Sequence, residues 1–278
     1  MPTLEHAVSE IKSVRVQGAK EIALYALKFL RKVVQEQGFE GRFDELADAL
    51  RKIRPTAVVL HNCIEIIKRE RKISTIDSLI AYLTESSEKI GKHSDRMLKN
   101  NITIMTYCHS GEALKFIKHG HVKHEKKISL IATVTQPLEQ GVKTARELVQ
   151  LKIPVTLILD NAVGFFMKDV DAVVVGADAL RKEGVVNKVG TSLLAFSAKH
   201  YHKPFYVVAN VMKLDKRGDF RIEERPVAEV YRKITTTKDF RGIKARNPAF
   251  DITPWKYVTA VITDEGVLKP SQVIRRLK

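Results

Sequence analysis

The sequence predicts an α/β protein with an N-terminal helical domain, residues 1–100, followed by a Rossmann-like domain, residues 101–278, with a mostly parallel sheet. The first hundred residues place apolar side chains three and four positions apart, which is typical of amphipathic helices. After about residue 100, short β-branched apolar runs alternate with helix-like segments, as in parallel βαβ units with right-handed crossovers. These runs are apolar throughout rather than at alternate positions, which indicates strands buried on both faces.

The helices of the first domain are marked by their apolar faces and by their ends. Apolar residues between Ile22 and Val34 share one helical face, and Gln37-Gly38 predicts the end of this helix. Arg54-Pro55 predicts the start of another helix, because proline is favoured in the first turn. Apolar stripes mark that helix and a later one (Val58, Leu60, Cys63, Ile64 and Ile67; Ile76, Leu79, Ile80 and Leu83).

Six apolar, β-branched runs predict the strands of the second domain. Because helix-like segments separate most of them, we expect neighbouring strands to run parallel. The runs are residues 102–105, 128–134, 155–159, 172–175, 205–209 and 258–262.

Composition narrows the class of protein without choosing a function. The chain has 278 residues, a net charge of +16 and two cysteines. No apolar run approaches the roughly 20 residues that span a bilayer, and no signal peptide is visible, so we expect a cytoplasmic protein with free thiols. The positive charge suits phosphorylated small molecules, nucleic acid or acidic proteins, or simply a solvated surface. Nucleic acid is the least favoured partner, because aromatic residues do not interleave with the basic ones.

The sequence gives no sign of a bound cofactor. It lacks a Gly-x-Gly-x-x-Gly after any predicted strand and lacks a P-loop, which argues against a dinucleotide or nucleoside triphosphate site. His119, His121 and His124 lie in a lysine-rich stretch without a nearby cysteine or aspartate. A metal site there is therefore not expected.

Two residues follow apolar runs at the places where an α/β sheet usually holds its ligand. Cys108 comes after the run that starts at Ile102, and Asp178 comes after the run 172–175. A thiol near a helix N-terminus is expected to have a lowered pKa, and a carboxylate at a buried strand end is costly unless it is hydrogen-bonded or functional. The alternatives are a small packing residue at 108 and a helix cap at 178.

Polar residues in nearby turns are candidate anion contacts. Asn187-Lys188 precedes an apolar helix, whose first amide groups could hold a phosphate; the alternative is an ordinary capped turn. Gln140 follows another strand and could reach a ligand there. Arg54, before a helix start, is a candidate anion binder or merely a surface arginine.

Taken together and in order, several segments resemble one family, and they cover nearly the whole chain. That family comprises the alpha, beta and delta regulatory subunits of eukaryotic translation initiation factor 2B and two sugar-phosphate isomerases, which act on methylthioribose-1-phosphate and ribose-1,5-bisphosphate. The resemblance implies a helical domain plus a Rossmann-like domain, and dimers that form through the C-terminal domain. Its segments are residues 54–58, the stretch around Cys108, Gln140-Gly141, and residues 155–161, 175–178, 187–191, 204–209 and 247–254.

The resemblance also implies roles for the candidate residues. In the isomerases, the catalytic pair is a cysteine and an aspartate that correspond to Cys108 and Asp178. The family's phosphate contacts correspond to Arg54, Gln140, Asn187 and Lys188.

Two departures separate this chain from the isomerases. Where they carry Arg-Gly-Ala this chain has Gln17-Gly18-Ala19, and where they carry Glu-x-Arg-Pro it has residues 134–137, with Gln136 in place of the arginine. Two lost arginine contacts could cost on the order of 100-fold in affinity for a sugar phosphate.

These departures place a regulatory role first. We expect an initiation factor 2B-like regulatory subunit of the archaeal type that keeps a sugar-phosphate or nucleotide pocket. The alternative is an aldose–ketose isomerase of a phosphorylated ribose. The expected partners are a second copy in a homodimer or higher oligomer, the alpha subunit of initiation factor 2, and a phosphorylated small molecule, with no membrane.

Overall fold

The N-terminal part of the chain is a helical layer. The computed structural model describes residues 18–53, 56–218, 220–234 and 242–278. Within the described residues this layer has five helices: α1 (Ala19–Gln37), α2 (Phe43–Ile53), α3 (Val58–Glu70), α4 (Ile73–Lys92) and α5 (Ser94–Met97). Gly38 ends α1 with a φ of 68°, a conformation that suits glycine, so this predicted helix end is confirmed. The predicted stripe residues Leu60, Ile64 and Leu83 are buried and face a common core with Leu27 and Leu30.

The part of the chain that the structure describes has ten strands, and seven of them form one sheet. They are β1 (Ile102–Thr106), β2 (Ile128–Thr133), β3 (Val155–Ile158), β4 (Ala172–Gly176), β5 (Ala179–Leu180), β6 (Val185–Lys188), β7 (Phe205–Val208), β8 (Phe250–Thr253), β9 (Ala260–Thr263) and β10 (Gly266–Leu268). The large sheet has the order β10-β9-β7-β4-β1-β2-β3, and only β10 is antiparallel to its neighbour. The predicted α/β class with a mostly parallel sheet is therefore confirmed.

Burial on both faces of the large sheet is confirmed for its central strands. In β4, Val173 and Val175 pack into one core, while Val174 packs into the core on the opposite face. The expectation is wrong for β3, where Leu157 is exposed. The reason is position: β3 is an edge strand, so one of its sides and part of a face remain uncovered.

The remaining helices lie between and after the strands. Short 3₁₀ turns join several of these elements, including Val211–Lys213 after β7 and Trp255–Tyr257 before β9. The helices are α6 (Gly111–Lys123), α7 (Gln140–Val149), α8 (Val163–Phe166), α9 (Thr191–His200), α10 (Ala228–Ile234) and α11 (Pro270–Arg276).

A second, antiparallel sheet was not predicted. Its order is β5-β6-β8, and the pairing joins Asn187 of β6 to Asp251 of β8. Asn187-Lys188 is thus the end of a strand, whereas the sequence predicts a turn there. Pairing between segments more than sixty residues apart leaves no local pattern in the sequence.

Side-chain hydrogen bonds tie the helical layer to the sheet. Asn62 of α3 donates to the carbonyl oxygens of Met212 and Leu214, each at 2.8 Å, and the Tyr82 hydroxyl of α4 donates to Asp264. The bonds of Asn62 hold the turn after β7 against the helices, and the bond of Tyr82 holds the turn after β9. Within the described residues, no helix combines the length and apolar character that crossing a bilayer requires.

Candidate active-site cleft

A cleft opens at the carboxyl ends of the central strands. Strands β2 and β3 lie to one side of β1, and β4 lies on the other side, so the strand order reverses between β1 and β4. Open α/β sheets hold ligands at this point. The cleft encloses about 870 Å³ of space, its open mouth included, and the start of α1 covers one side. Its lining includes Cys108, Asp178, Gln140, Asn187 and Lys188.

Cys108 lies just beyond β1 in a left-handed backbone conformation, with a φ of 66°. Burial raises the pKa of its thiol to about 11, and the nearby positive charge of Lys188 lowers that pKa only in part. The expectation of a lowered thiol pKa is therefore wrong. Helix α6 begins three residues later, at Gly111. Burial therefore raises the thiol pKa by more than the positive end of this helix could lower it.

Asp178 lies between β4 and β5, at the opposite side of the strand reversal. Its backbone N–H donates to the carbonyl oxygen of Val186 at 2.8 Å, which fixes the chain at the point where the large sheet passes into the small one. The negative charge of Asp178 contributes to the raised pKa of the Cys108 thiol. Both side chains line one cleft and interact electrostatically, although they are seventy positions apart.

Gln140, Asn187 and Lys188 also reach the cleft. Gln140 is the first residue of α7, and its side-chain oxygen Oε1 is buried without a hydrogen-bond partner among the described residues. Asn187 donates to the hydroxyl of Thr191 at 3.0 Å, and the Lys188 ammonium lies 5.5 Å from the centre of the Phe250 ring. Arg54 and Gln17 lie outside the described residues. Gln136 is exposed and is not part of the cleft lining.

An internal carboxylate occupies the N-terminus of α9. Asp251 of β8 accepts hydrogen bonds from the N–H of Gly190 at 2.7 Å and from the N–H and hydroxyl of Ser192 at 3.1 and 2.8 Å. The expectation that amide groups at this helix start hold a ligand phosphate is therefore wrong for these two amides. Burial raises the pKa of Asp251, and the bonds from Ser192 and Gly190 oppose that rise.

Sequence reasoning missed five charged residues of the lining, one of which is Glu21 of α1. Lys213, from the turn after β7, forms a buried ion pair with Glu112 of α6, which also accepts from Asn210. Lys20, near the start of α1, donates to Ser87 at 2.8 Å. Arg225 is held by Glu229. These residues come from α1, α6, the turn after β7 and the segment before α10, so no local spacing reveals them together.

The histidine-rich stretch lies elsewhere. His119, His121 and His124 are absent from the lining of the cleft. Both ring nitrogens of His121 lie 3.1 Å from backbone carbonyl oxygens, those of Lys126 and Leu151. In the part of the chain that the structure describes, no group of three or more His, Cys, Asp and Glu side chains could hold a metal ion.

Comparison with known proteins places this chain in a family. Residues 15–270 match the sequence model of the Initiation factor 2 subunit family. The chain belongs to this family. It is 37% identical to the ribose 1,5-bisphosphate isomerase of Archaeoglobus fulgidus, over 97% of this chain and 91% of that protein. It is 39% identical to the methylthioribose-1-phosphate isomerase of Acetivibrio thermocellus, over 94% of this chain and 86% of that protein.

Solved structures of the Initiation factor 2 subunit family share the fold. The translation initiation factor eIF-2B of Pyrococcus horikoshii superposes with a TM-score of 0.84 and 27% identity, over 99% of this chain and 98% of that one. The resemblance drawn from the sequence is thereby confirmed. Several of these relatives are named sugar-phosphate isomerases, which favours the isomerase that the sequence analysis gives as the alternative to a regulatory subunit.

Proposed function

We propose that this protein is an aldose–ketose isomerase of a phosphorylated ribose, with ribose 1,5-bisphosphate as its substrate. One observation carries the proposal: Cys108 and Asp178 line a single cleft at the strand reversal, with lysines around them. A thiol and a carboxylate that reach one ligand are the two proton-transfer groups that an isomerisation requires.

The chemistry follows from the states of the two groups. With a pKa of about 11, the Cys108 thiol is protonated at neutral pH and begins as a proton donor. The carboxylate of Asp178 is the matching acceptor. In a ring-opened sugar phosphate, one group moves a proton on or off carbon while the other assists at the neighbouring oxygen. Aldose and ketose are isomers, so the reaction needs no oxidant and no second substrate.

Charge in the cleft favours a bisphosphate over a monophosphate with an apolar tail. Lys20 and Lys213 line the cleft from α1 and from the turn after β7. Lys188 and Arg225 line it from the end of β6 and from the segment before α10. Cations from several elements suit a sugar with a phosphate at each end, because each phosphate needs its own charge-assisted contacts. We assign the phosphate contacts to Asn187, Lys188 and Gln140, and Arg54 stays a proposal on the resemblance alone.

Regulation of translation initiation is the second candidate, which the structural likeness to the Pyrococcus horikoshii factor favours. Its test is binding of purified alpha subunit of initiation factor 2 to the immobilised protein at micromolar concentration. Binding together with an inactive cleft would support it, and turnover without binding would reject it.

We further propose that the protein is a cytoplasmic homodimer that buries an apolar surface of the C-terminal part. Exposed apolar side chains lie at the β3 edge of the large sheet and on α8 and α9, two helices that contact each other. They are Leu157 and Leu159 at β3, Phe165 on α8, and Leu193 and Phe196 on α9. A surface of this kind on a soluble chain is typical of an interface. A second copy is the occupant that the family resemblance implies.

Turnover tests the isomerase proposal. Wild-type protein incubated with ribose 1,5-bisphosphate is expected to convert the anomeric phosphate signal to that of a ketose phosphate in ³¹P NMR. Cys108→Ser and Asp178→Asn are expected to abolish conversion, while Cys63→Ala, which alters a cysteine buried in the helical core, is expected to keep it. Absence of conversion by the wild type, or full activity of Cys108→Ser, would reject the proposal.

A further inference from the structure

The backbone of Cys108 is held from both sides by threonine hydroxyl groups. Its N–H donates to Oγ1 of Thr135 at 2.9 Å, and its carbonyl oxygen accepts from Oγ1 of Thr144 at 2.8 Å. Thr135 follows β2 and Thr144 lies on α7, and both are fully buried (0% and 1% exposed). We propose that Thr135 and Thr144 are positioning residues that together hold Cys108 in its left-handed conformation and so direct its thiol into the cleft.

The conformation itself requires such support. Cys108 has a φ of 66°, a region that L residues other than asparagine and aspartate seldom enter because Cβ crowds the backbone. A cysteine persists there only where surrounding contacts over-determine the backbone, and such residues cluster at functional sites. The two threonine bonds are contacts of this kind, because they fix the peptide groups before and after the Cys108 Cα.

The first threonine is fixed by its own neighbours. The N–H of Thr135 donates to Asp160 at 2.7 Å, and the hydroxyl of Thr133 lies 3.0 Å from that of Thr135. Thr135 also has a positive φ, of 61°. Its side chain thus sits in a rigid turn and offers one defined acceptor to Cys108.

The second threonine is placed by a close approach of α7 to β2. A Cβ at Gly141 would lie 1.7 Å from the carbonyl oxygen of Thr133, so only glycine lets the helix start at this distance. The hydroxyl proton of Thr144 is donated to Cys108, so its oxygen accepts from Nδ1 of His109 at 3.0 Å. This assigns the ring proton of His109 to Nδ1. It also connects the clamp, that is, the pair of hydrogen bonds from Thr135 and Thr144 to the Cys108 backbone, to another residue of the cleft lining.

The positioning role of the two threonines depends on the proposed isomerase function only where its effect is measured as turnover. A merely structural role for the threonines would change the stability of the protein and leave the thiol unaltered. A positioning role predicts changes in the reactivity of Cys108 itself, which iodoacetamide measures without any sugar phosphate. The two proposals can therefore fail separately.

The test compares valine and serine at each position in the full chain. Valine keeps the shape of threonine without the hydroxyl, and serine keeps the hydroxyl. For Thr135→Val and Thr144→Val we expect kcat for ribose 1,5-bisphosphate to fall roughly 10- to 100-fold with KM changed less than about threefold, because the thiol is misplaced while the phosphate contacts stay. In these valine variants, we expect the alkylation rate of Cys108 to depend differently on pH than in the wild type, as measured by peptide mass spectrometry from pH 7 to 11. Both serine variants are expected to restore both readouts.

Thr84→Val is the matched control, since the Thr84 hydroxyl donates to the Ile80 carbonyl oxygen on an exposed face of α4, away from the cleft lining. It is expected to leave alkylation and turnover unchanged. Folded valine variants with wild-type alkylation profiles would overturn the proposal, whether or not the protein turns over the sugar. Hydrogen exchange of the wild-type Cys108 amide adds a test without variants: protection supports the clamp, and exchange at the rate of an open loop overturns it.

Discussion

Asp251 of β8 accepts hydrogen bonds from the start of α9. Two substitutions of Asp251 separate the contribution of its charge to stability from the contribution of these hydrogen bonds. Asp251→Ala removes the acceptor of the Gly190 and Ser192 amides. An orphaned buried donor costs about 1–3 kcal/mol, and because these amides are partly buried we take the lower end. The expected loss in the free energy of unfolding is about 2–3 kcal/mol. Asp251→Asn keeps an acceptor of the same size and is expected to cost less than about 1 kcal/mol.

The small cost of the asparagine variant follows from the pKa of Asp251. Burial raises this pKa in the folded protein, which means that folding favours the uncharged carboxyl over the charged one. Replacing the carboxylate by a neutral amide therefore removes little net stabilisation. Urea unfolding at pH 7 measures both variants, with Asp77→Ala as the control for an exposed ion pair with Arg31, worth about 1 kcal/mol or less. Equal stability of the alanine and asparagine variants would show that the hydrogen bonds accepted by Asp251 do not stabilise the start of α9.

Three further outcomes are expected. With a thiol pKa of about 11, alkylation of Cys108 by iodoacetamide should keep accelerating above pH 10, and a plateau near pH 8 would contradict the burial argument. Lys188→Gln removes the cation that lowers the Cys108 pKa, so the alkylation profile should shift to higher pH. The affinity for inorganic phosphate, measured by calorimetry, should fall roughly 10-fold or more. An unshifted alkylation profile would place Lys188 away from the thiol. Phe165→Lys places a charge on the most exposed apolar side chain of the proposed interface and should give monomers in light scattering, whereas an unchanged mass would move the interface elsewhere.

Six of the seven strands of the large sheet could be predicted because they are short, continuous apolar runs; β10, with three residues, was not predicted. The run 172–175 became β4 with one residue added, and its two-sided burial follows from the helices that cover both faces. The run 258–262 lost its first two residues, because the turn Trp255–Tyr257 precedes β9 and the strand starts at Ala260. The small sheet could not be predicted: β5 has two residues, and β6 ends in the polar pair Asn187-Lys188.

Some features of the cleft could likewise be predicted from the sequence, and others could not. Cys108 and Asp178 could be found because each follows an apolar strand, and strand ends are visible in the sequence. The direction of the thiol pKa could not, because the sequence shows the nearby start of α6 and does not show how deeply the sulfur is buried. The Glu112–Lys213 pair and the Asp251 cap join residues about 101 and 59 positions apart, and only the folded chain brings them together.

A crystal of the Cys108→Ser variant soaked with ribose 1,5-bisphosphate tests most directly whether one sugar lies between the thiol position and Asp178. We predict that C1 and C2 of the ribose lie within about 3.5 Å of the side chain at position 108 and of the Asp178 carboxylate, with a phosphate on Lys188. A sugar that contacts one of the two side chains and leaves the other in solvent would contradict it.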